Sequence, residues 1–270
     1  MRLKSHRMRL LASVASAAAL ALILAGCQTA GSPTTTGSIN DSPSAQAAND
    51  GRRDLTAWAQ RYNKNPQDPE AAIGYAQALR TSGQRPQAAA VLEQASINAP
   101  KNSAVLGAYG RALADIGNYQ HALEVLGRAH TPDQPDWRIL SAQGAVLDQM
   151  GRHDEAQRHY SAALKIAPDE SSVLSNLALS YALSKNLPKA EGTLRKASER
   201  RDAEPRVRQN LALVVGLQGR FAEAETIARG DLSPEEAAAN VAYLRQMLAQ
   251  QRDGKKLQRS HGALKQAGRS

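Results

Sequence analysis

Gly83, Gly117 and Gly151 lie 34 residues apart, Gly219 lies a further 68 on, and Lys185 occupies the vacant step between the last two. A fixed period of this length specifies a stack of like units, each burying its apolar face against its neighbours. The register extends well beyond the glycines. Five residues after each marker comes Ala88, Ala122, Ala156, Ala190 or Ala224, and the first four units also repeat Leu92, Leu126, Tyr160, Leu194 and Ala95, Ala129, Ala163, Ala197. Seven residues upstream stand Ala76, Gly110, Gly144, Ala178 and Ala212, flanked by Tyr75, Tyr109, Leu177 and Leu211, while Pro100 and Pro168 close two units.

Two helices cross closely only where the side chains at the crossing are small, which accounts for the Gly/Ala and Ala positions, while Leu and Tyr fill the flanks. Composition agrees. With aromatics at 4% and a single Phe, an ordinary compact core would lack its large fillers, so alanine must do the packing. The marker glycine suits the left-handed cap between helices, and Pro86 and Pro188 fall just after that turn, where a first-turn proline loses no hydrogen bond. Spacing and residue types together resemble the tetratricopeptide repeat, two antiparallel helices per unit. The resemblance implies an all-α solenoid of five units, at 69–102, 103–136, 137–170, 171–204 and 205–232, the last the least regular because Ala228 and Asp231 replace Leu and Ala. Leu55, Trp58 and Pro66 fit a capping half unit over 53–68. Ser233-Pro234-Glu235-Glu236 opens a closing helix over 233–250, with Ala237, Val241, Leu244 and Leu248 on one face.

The chain opens with Arg2, Lys4, Arg7 and Arg9 ahead of an apolar run from Leu10 to Leu24, the pattern of an export leader. Fifteen residues make roughly 22 Å of helix against a hydrocarbon core of about 30 Å, short of a stable span. The run ends Leu24-Ala25-Gly26-Cys27, which resembles the lipobox of bacterial lipoproteins. That implies cleavage after residue 26 and acylation of Cys27, the sole cysteine. Gln28 in place of Asp points, by the family's sorting rule, to the periplasmic face of the outer membrane. Residues 27–52, nearly free of large apolar side chains, read as a flexible tether with a root-mean-square reach of roughly 25–30 Å.

Nothing resembles a phosphate loop, a zinc-protease helix or a nucleophile elbow. His153 and His159, six residues apart on one helix, lie on nearly opposite faces, cannot share a metal, and read as solvent-facing; His121 has no ligand partner at suitable spacing. No catalytic residue, metal or cofactor is expected beyond covalent lipid. The formal charge of +9 falls to +5 once the leader's four cations are removed. The segment 251–270, carrying Arg252, Lys255, Lys256, Arg259, Lys265 and Arg269 against Asp253, accounts for that excess. It reads as a solvated disordered tail or a contact for anionic lipid or an acidic partner patch. Without interleaved aromatic and basic residues, nucleic acid is not an expected partner.

In the tetratricopeptide family the first helices line an inner groove that holds a polypeptide. Transferred position by position, the resemblance places there Glu70, Gln77 and Arg80; Arg111 and Asp115; Arg138, Ser141, Asp148 and Gln149; Ser172, Ser175, Asn176 and Leu179; and Arg206, Gln209, Asn210 and Leu213. Asn176 and Asn210 sit one period apart in like strings. Their amides would either form a ladder for an extended backbone or bond the neighbouring helix. Several strings resemble more narrowly the TadD family, the lipoproteins of the tight-adherence (Flp) pilus system. These are Asp136-Trp137-Arg138, Gly144-Ala145-Val146-Leu147-Asp148, the run 206–219 (RVRQNLALVVGLQG) and Asn240-Val241-Ala242-Tyr243-Leu244. The match spans about residues 54–250, and implies a non-enzymatic, pilotin-like adaptor whose partner is the secretin or another pilus-assembly component. The alternative is a repeat lipoprotein that scaffolds cell-wall enzymes or outer-membrane protein assembly.

Overall fold

A computed structural model describes residues 43–131, 133–200 and 203–267, with side chains over 50–131, 133–200 and 203–254. The leader, Cys27 and the tether as far as residue 42 lie outside the described residues. The chain divides into the units Met1–Gln46 and Ala47–Ser270, and the repeats belong to the second.

Among the described residues there are twelve helices: α1 (Pro43–Lys64), α2 (Pro69–Thr81), α3 (Arg85–Asn98), α4 (Ser103–Asp115), α5 (Tyr119–Arg128), α6 (Trp137–Gln149), α7 (His153–Ile166), α8 (Ser171–Leu183), α9 (Leu187–Ser198), α10 (Pro205–Leu217), α11 (Phe221–Ala228) and α12 (Pro234–Ala267). The pairs α2/α3, α4/α5, α6/α7, α8/α9 and α10/α11 are the five expected units, and the architecture is an all-α tetratricopeptide-repeat solenoid.

Local chemistry starts and stops each helix. Residues 68, 102, 136, 170 and 204, one period apart, are Asp, Asn, Asp, Glu and Glu. The first four cap the following helix by accepting from a backbone N–H of its first turn, at 3.0 Å for Asp68 and 2.7 Å for Asp136. Such caps satisfy donors the helix itself leaves unpaired. At the inter-helix turns the markers all take left-handed backbone, with φ of 80°, 80°, 74° and 84° at the glycines and 66° at Lys185. The next residue's N–H then donates five residues back, as from Gln84 to Leu79 O at 2.8 Å and from Asn186 to Tyr181 O at 2.8 Å, closing the helix end. Lys185 therefore keeps the turn geometry despite its side chain.

The small-residue positions carry the packing. Ala88, Ala122, Ala156, Ala190 and Ala224 are all 0% exposed. A Cβ on Gly144 would meet the Tyr160 ring at 2.7 Å, and one on Gly110 would meet Leu126 at 2.5 Å, so only glycine allows these crossings. First helices of successive units touch one another, α2 to α4, α4 to α6, α6 to α8 and α8 to α10, whereas no two second helices do among the described residues. Close spacing on one side and splay on the other curls the stack with its first helices innermost.

Both ends are closed. The Trp58 ring of α1 lies on Gly74, and Tyr62 stacks on Tyr75 with centroids 5.5 Å apart. At the other end Ser233 and Glu236 form the reciprocal capping box, N–H to Oε2 at 3.0 Å and N–H to Oγ at 3.3 Å. Ala237, Val241 and Leu244 of α12 are buried. Two boundaries differ from the sequence reading. α1 begins at Pro43, so residues 43–52 of the expected tether are helical. α12 continues to Ala267 instead of ending at Gln250, so most of the expected disordered tail is helical, in keeping with its many Gln, Lys, Arg, Leu and Ala, which are good helix formers. No described helix is long and apolar enough to cross a membrane.

Candidate partner-binding groove

The inner positions fall into linked clusters. In the first, Gln77 Oε1 accepts from Arg80 Nη1 at 2.9 Å, and Arg80 Nε donates across the unit boundary to Asp115 Oδ2. Arg111, one period on from Gln77, is partly buried. Glu70 accepts from Arg61 Nη2 of α1 at 3.0 Å, so its charge ties the cap to the first unit. Arg138 is exposed and lays its guanidinium over the Trp137 ring at 4.5 Å.

In the later units Asn176 Nδ2 donates to Ser141 Oγ at 3.3 Å, and Asn210 Nδ2 donates to Ser175 Oγ at 2.8 Å. Of the two roles open to these amides, the bond to the neighbouring first helix is the one observed. Each amide keeps its oxygen and a second N–H for other partners, so the rungs are stiffened without being used up. Ser172 Oγ donates to Glu170 Oε1 at 2.7 Å and belongs to the helix cap. Arg206 pairs with Glu204 at 2.8 Å. Gln149 and Gln209 are exposed, and Leu179 and Leu213 are partly buried.

Asp148 leaves the groove set. Its carboxylate is only 8% exposed, and it accepts from Tyr160 Oη at 3.1 Å and Ser180 Oγ at 2.8 Å, with His153 Nδ1 also 2.8 Å away. Burial pushes the Tyr160 hydroxyl far above its usual pKa, the Asp148 charge and hydrogen bond adding to the effect, so Tyr160 stays a donor. The cluster pins α6, α7 and α8 together.

The histidines also differ from expectation. His153 is three-quarters buried on Asp148. His159 is partly buried with Nδ1 unpartnered, and burial, then the nearby His130, lowers its pKa. Periodicity did not bring out His130, because it stands in the loop after the short α5. His121 meets Tyr109 edge-on at 5.7 Å. Among the described residues no group of three or more His, Cys, Asp or Glu could hold a metal ion.

Away from the groove, Glu191 accepts from Arg195 Nη2 at 2.7 Å, Arg220 Nη1 at 2.7 Å and Gln218 Nε2 at 2.8 Å. Burial alone would raise its pKa, but these three donors outweigh it and bring the carboxyl down to about 2. Arg195 and Arg220 also reach Glu223, so one network clamps unit four to unit five. Asp231, irregular by sequence, is a buried acceptor for Arg208 Nε at 2.8 Å.

Tetratricopeptide-repeat family models match residues 138–203 and 205–229, and a model described as anaphase-promoting complex, cyclosome, subunit 3 matches residues 53–129. None of the curated proteins matches the sequence. Among solved structures, a tetratricopeptide repeat protein from Parabacteroides merdae superposes with a TM-score of 0.63 at 12% identity, covering 74% of this chain and 80% of that one. PilW, a widely conserved type IV pilus biogenesis factor, gives 0.62 at 16% identity, covering 74% and 94%. A chain of the APC/C hetero-tetramer Cut9–Hcn1 gives 0.56 at 18% identity over 73% of this chain, which spans 40% of the length of that one. At these identities the likeness is one of fold.

Proposed function

We propose that this tetratricopeptide-repeat solenoid is a non-enzymatic adaptor that holds a segment of another polypeptide along its first-helix face. The observation that carries the reading is the groove itself: first helices in contact from α2 to α10, lined by polar groups already fixed by Arg80–Asp115, Asn176–Ser141 and Asn210–Ser175 hydrogen bonds. A preformed surface spends little of its binding energy on ordering itself. The lipobox-like Leu24-Ala25-Gly26-Cys27 supports a lipid anchor on Cys27, with Gln28 favouring the outer membrane, and three acyl chains hold far more firmly than one. The TadD-like strings support a place in Flp pilus assembly with the secretin as the held partner, and the likeness to PilW is compatible with such a scaffold.

Clean deletion of the gene, with piliation scored by microscopy and the secretin followed by membrane fractionation, tests the reading. Loss of surface pili and of the multimeric outer-membrane secretin is expected. Normal piliation would overturn the assignment to this system. Growth with labelled palmitate tests the anchor separately: label is expected in the wild-type chain and absent from Cys27→Ser.

A further inference from the structure

α12 is longer than the unit it closes. Leu244 rests on Gly216, next to the last residue of α10, and Arg245 lies over the ring of Phe221, the first residue of α11, 4.7 Å from its centroid. Up to this level the helix packs: Ala237, Val241 and Leu244 are buried, and Met247, Leu248 and Ala249 partly so. Residues 250–254 are all exposed, yet the helix continues to Ala267. Among the described residues α12 touches α10 and α11 and no other helix. About five turns, roughly 27 Å, therefore stand beyond the turn between α10 and α11.

The overhang changes its chemistry where the packing stops. Ala237, Val241, Leu244 and Leu248 share one side of the helix, and the register positions that continue their row are Arg252, Lys255 and Arg259, with Lys256 beside them. These four cations fall within an arc of about 100°. After Glu236 the chain holds a single acid, Asp253, about a third of a turn from the middle of the row. The row does not serve the helix itself. Arg252 stands three and four residues from Lys255 and Lys256, and Arg259 likewise, spacings at which like charges oppose helix formation. Gly254 weakens the same stretch. The helix dipole favours cations in the last turn only, and the row ends eight residues short of Ala267.

We propose that the row Arg252, Lys255, Lys256 and Arg259 lies on the anionic phospholipid surface of the membrane that carries the chain. The choice of membrane rests on the Cys27 anchor proposed above, which keeps such a surface within reach. Protein interfaces draw on buried aromatic and apolar anchors and are depleted in Lys, and the row contains no such anchor. A lipid surface needs neither pocket nor anchor: each Lys or Arg brought close raises occupancy about fivefold. A straight row on a projecting helix suits a flat array of phosphates. This second attachment, through unit five, constrains how the groove is turned towards the membrane.

The test uses the full chain, purified from its host membrane and reconstituted into phosphatidylcholine vesicles with or without about 30% phosphatidylglycerol. Ser260→Cys, outside the row, carries a fluorescent maleimide, and energy transfer to a headgroup acceptor reports the approach of the overhang. Transfer is expected to be higher on the anionic vesicles and to fall to the neutral level at about 1 M salt, where the screening length is about 3 Å. Combining Arg252→Gln, Lys255→Gln and Arg259→Gln, which keeps helix propensity, should lower the bound-to-free ratio of the overhang about a hundredfold. Arg252→Lys with Arg259→Lys should keep the response, because a lipid surface reads charge and not the guanidinium fork. Equal transfer on neutral and anionic vesicles, or an anionic response that survives the triple Gln variant, overturns the proposal. So does binding of polyglutamate by wild type and not by the triple variant without any lipid response, which would give the row to an acidic polypeptide. The anchor is read separately: label taken up by the chain lacking Ser260→Cys would reveal a free Cys27 thiol and overturn the lipid anchor, while the vesicle comparison still decides the row.

Discussion

The Gly144→Ala substitution isolates the steric logic of the helix crossings. The added Cβ would lie 2.7, 2.8 and 2.9 Å from Cε1, Cζ and Cδ1 of Tyr160, against a favourable carbon–carbon separation of about 3.5–4.0 Å. Alanine in a helix interior gains about 1 kcal/mol over glycine. The ring has nowhere to retreat, because Tyr160 is 2% exposed and its hydroxyl is held by Asp148 at 3.1 Å. Overpacking costs about 1–3 kcal/mol, and loosening the hydrogen bond to the buried carboxylate costs about 1.5–3 kcal/mol more. The net expectation is a loss of about 1.5–5 kcal/mol once the helix gain is set against these costs. Gly192→Ala in α9 is the control: nothing lies within 4 Å of its Cβ position, so a gain of about 0.5–1 kcal/mol is expected. Adding Tyr160→Leu to Gly144→Ala restores the Ala–Leu pair of Ala76–Leu92 and Ala178–Leu194, and should recover part of the loss. Urea unfolding followed by far-ultraviolet circular dichroism and tryptophan fluorescence measures all three. A Gly144→Ala protein as stable as wild type, or a double variant weaker than the single, refutes the reasoning.

Lys185→Gly should stabilise by about 0.5–1 kcal/mol, because the left-handed backbone at φ 66° costs a non-glycine residue about 1–2 kcal/mol, less the added freedom of glycine when unfolded; thermal melts check it, and a lower midpoint would contradict the turn geometry. Glu191, with its carboxyl held at about 2 against an ordinary 4.5, contributes stability fully present above pH 4.5 and lost progressively as pH falls towards 2. Glu191→Gln should therefore be less stable at pH 7 and show a shallower fall in stability over that window, read from urea midpoints at stepped pH.

Much of the fold was legible because its period is written in residues with little conformational latitude. Gly83, Gly117, Gly151 and Gly219 mark every turn but one, and the period alone located Lys185 at the remaining turn, whose left-handed backbone its residue type did not signal. The caps at 68, 102, 136 and 170 carry the same period, but the sequence reading passed over them because Asp, Asn and Glu alternate there. Side-chain commitments were harder. Asp148 stands at an inner-face register, yet three donors from α7 and α8 draw its carboxylate into the seam, and which way a short acid turns depends on partners remote in sequence. Gln143 takes the register of Tyr75, Tyr109, Leu177 and Leu211, is 7% exposed and leaves Oε1 unpartnered. The break in pattern was visible, but its buried amide was not. Arg80 and Asp115 were both placed on the inner face, but that they pair across the unit boundary depends on the close approach of α2 and α4, and spacing holds no record of that.

The two closures differ in kind, an indole seated on Gly74 at one end and Leu244 seated against Gly216 at the other. Each seats a large side chain against the glycine where the helix of a further unit would otherwise pack. The array is thereby a ruler of set length: whatever lies along it is measured against five steps and no more.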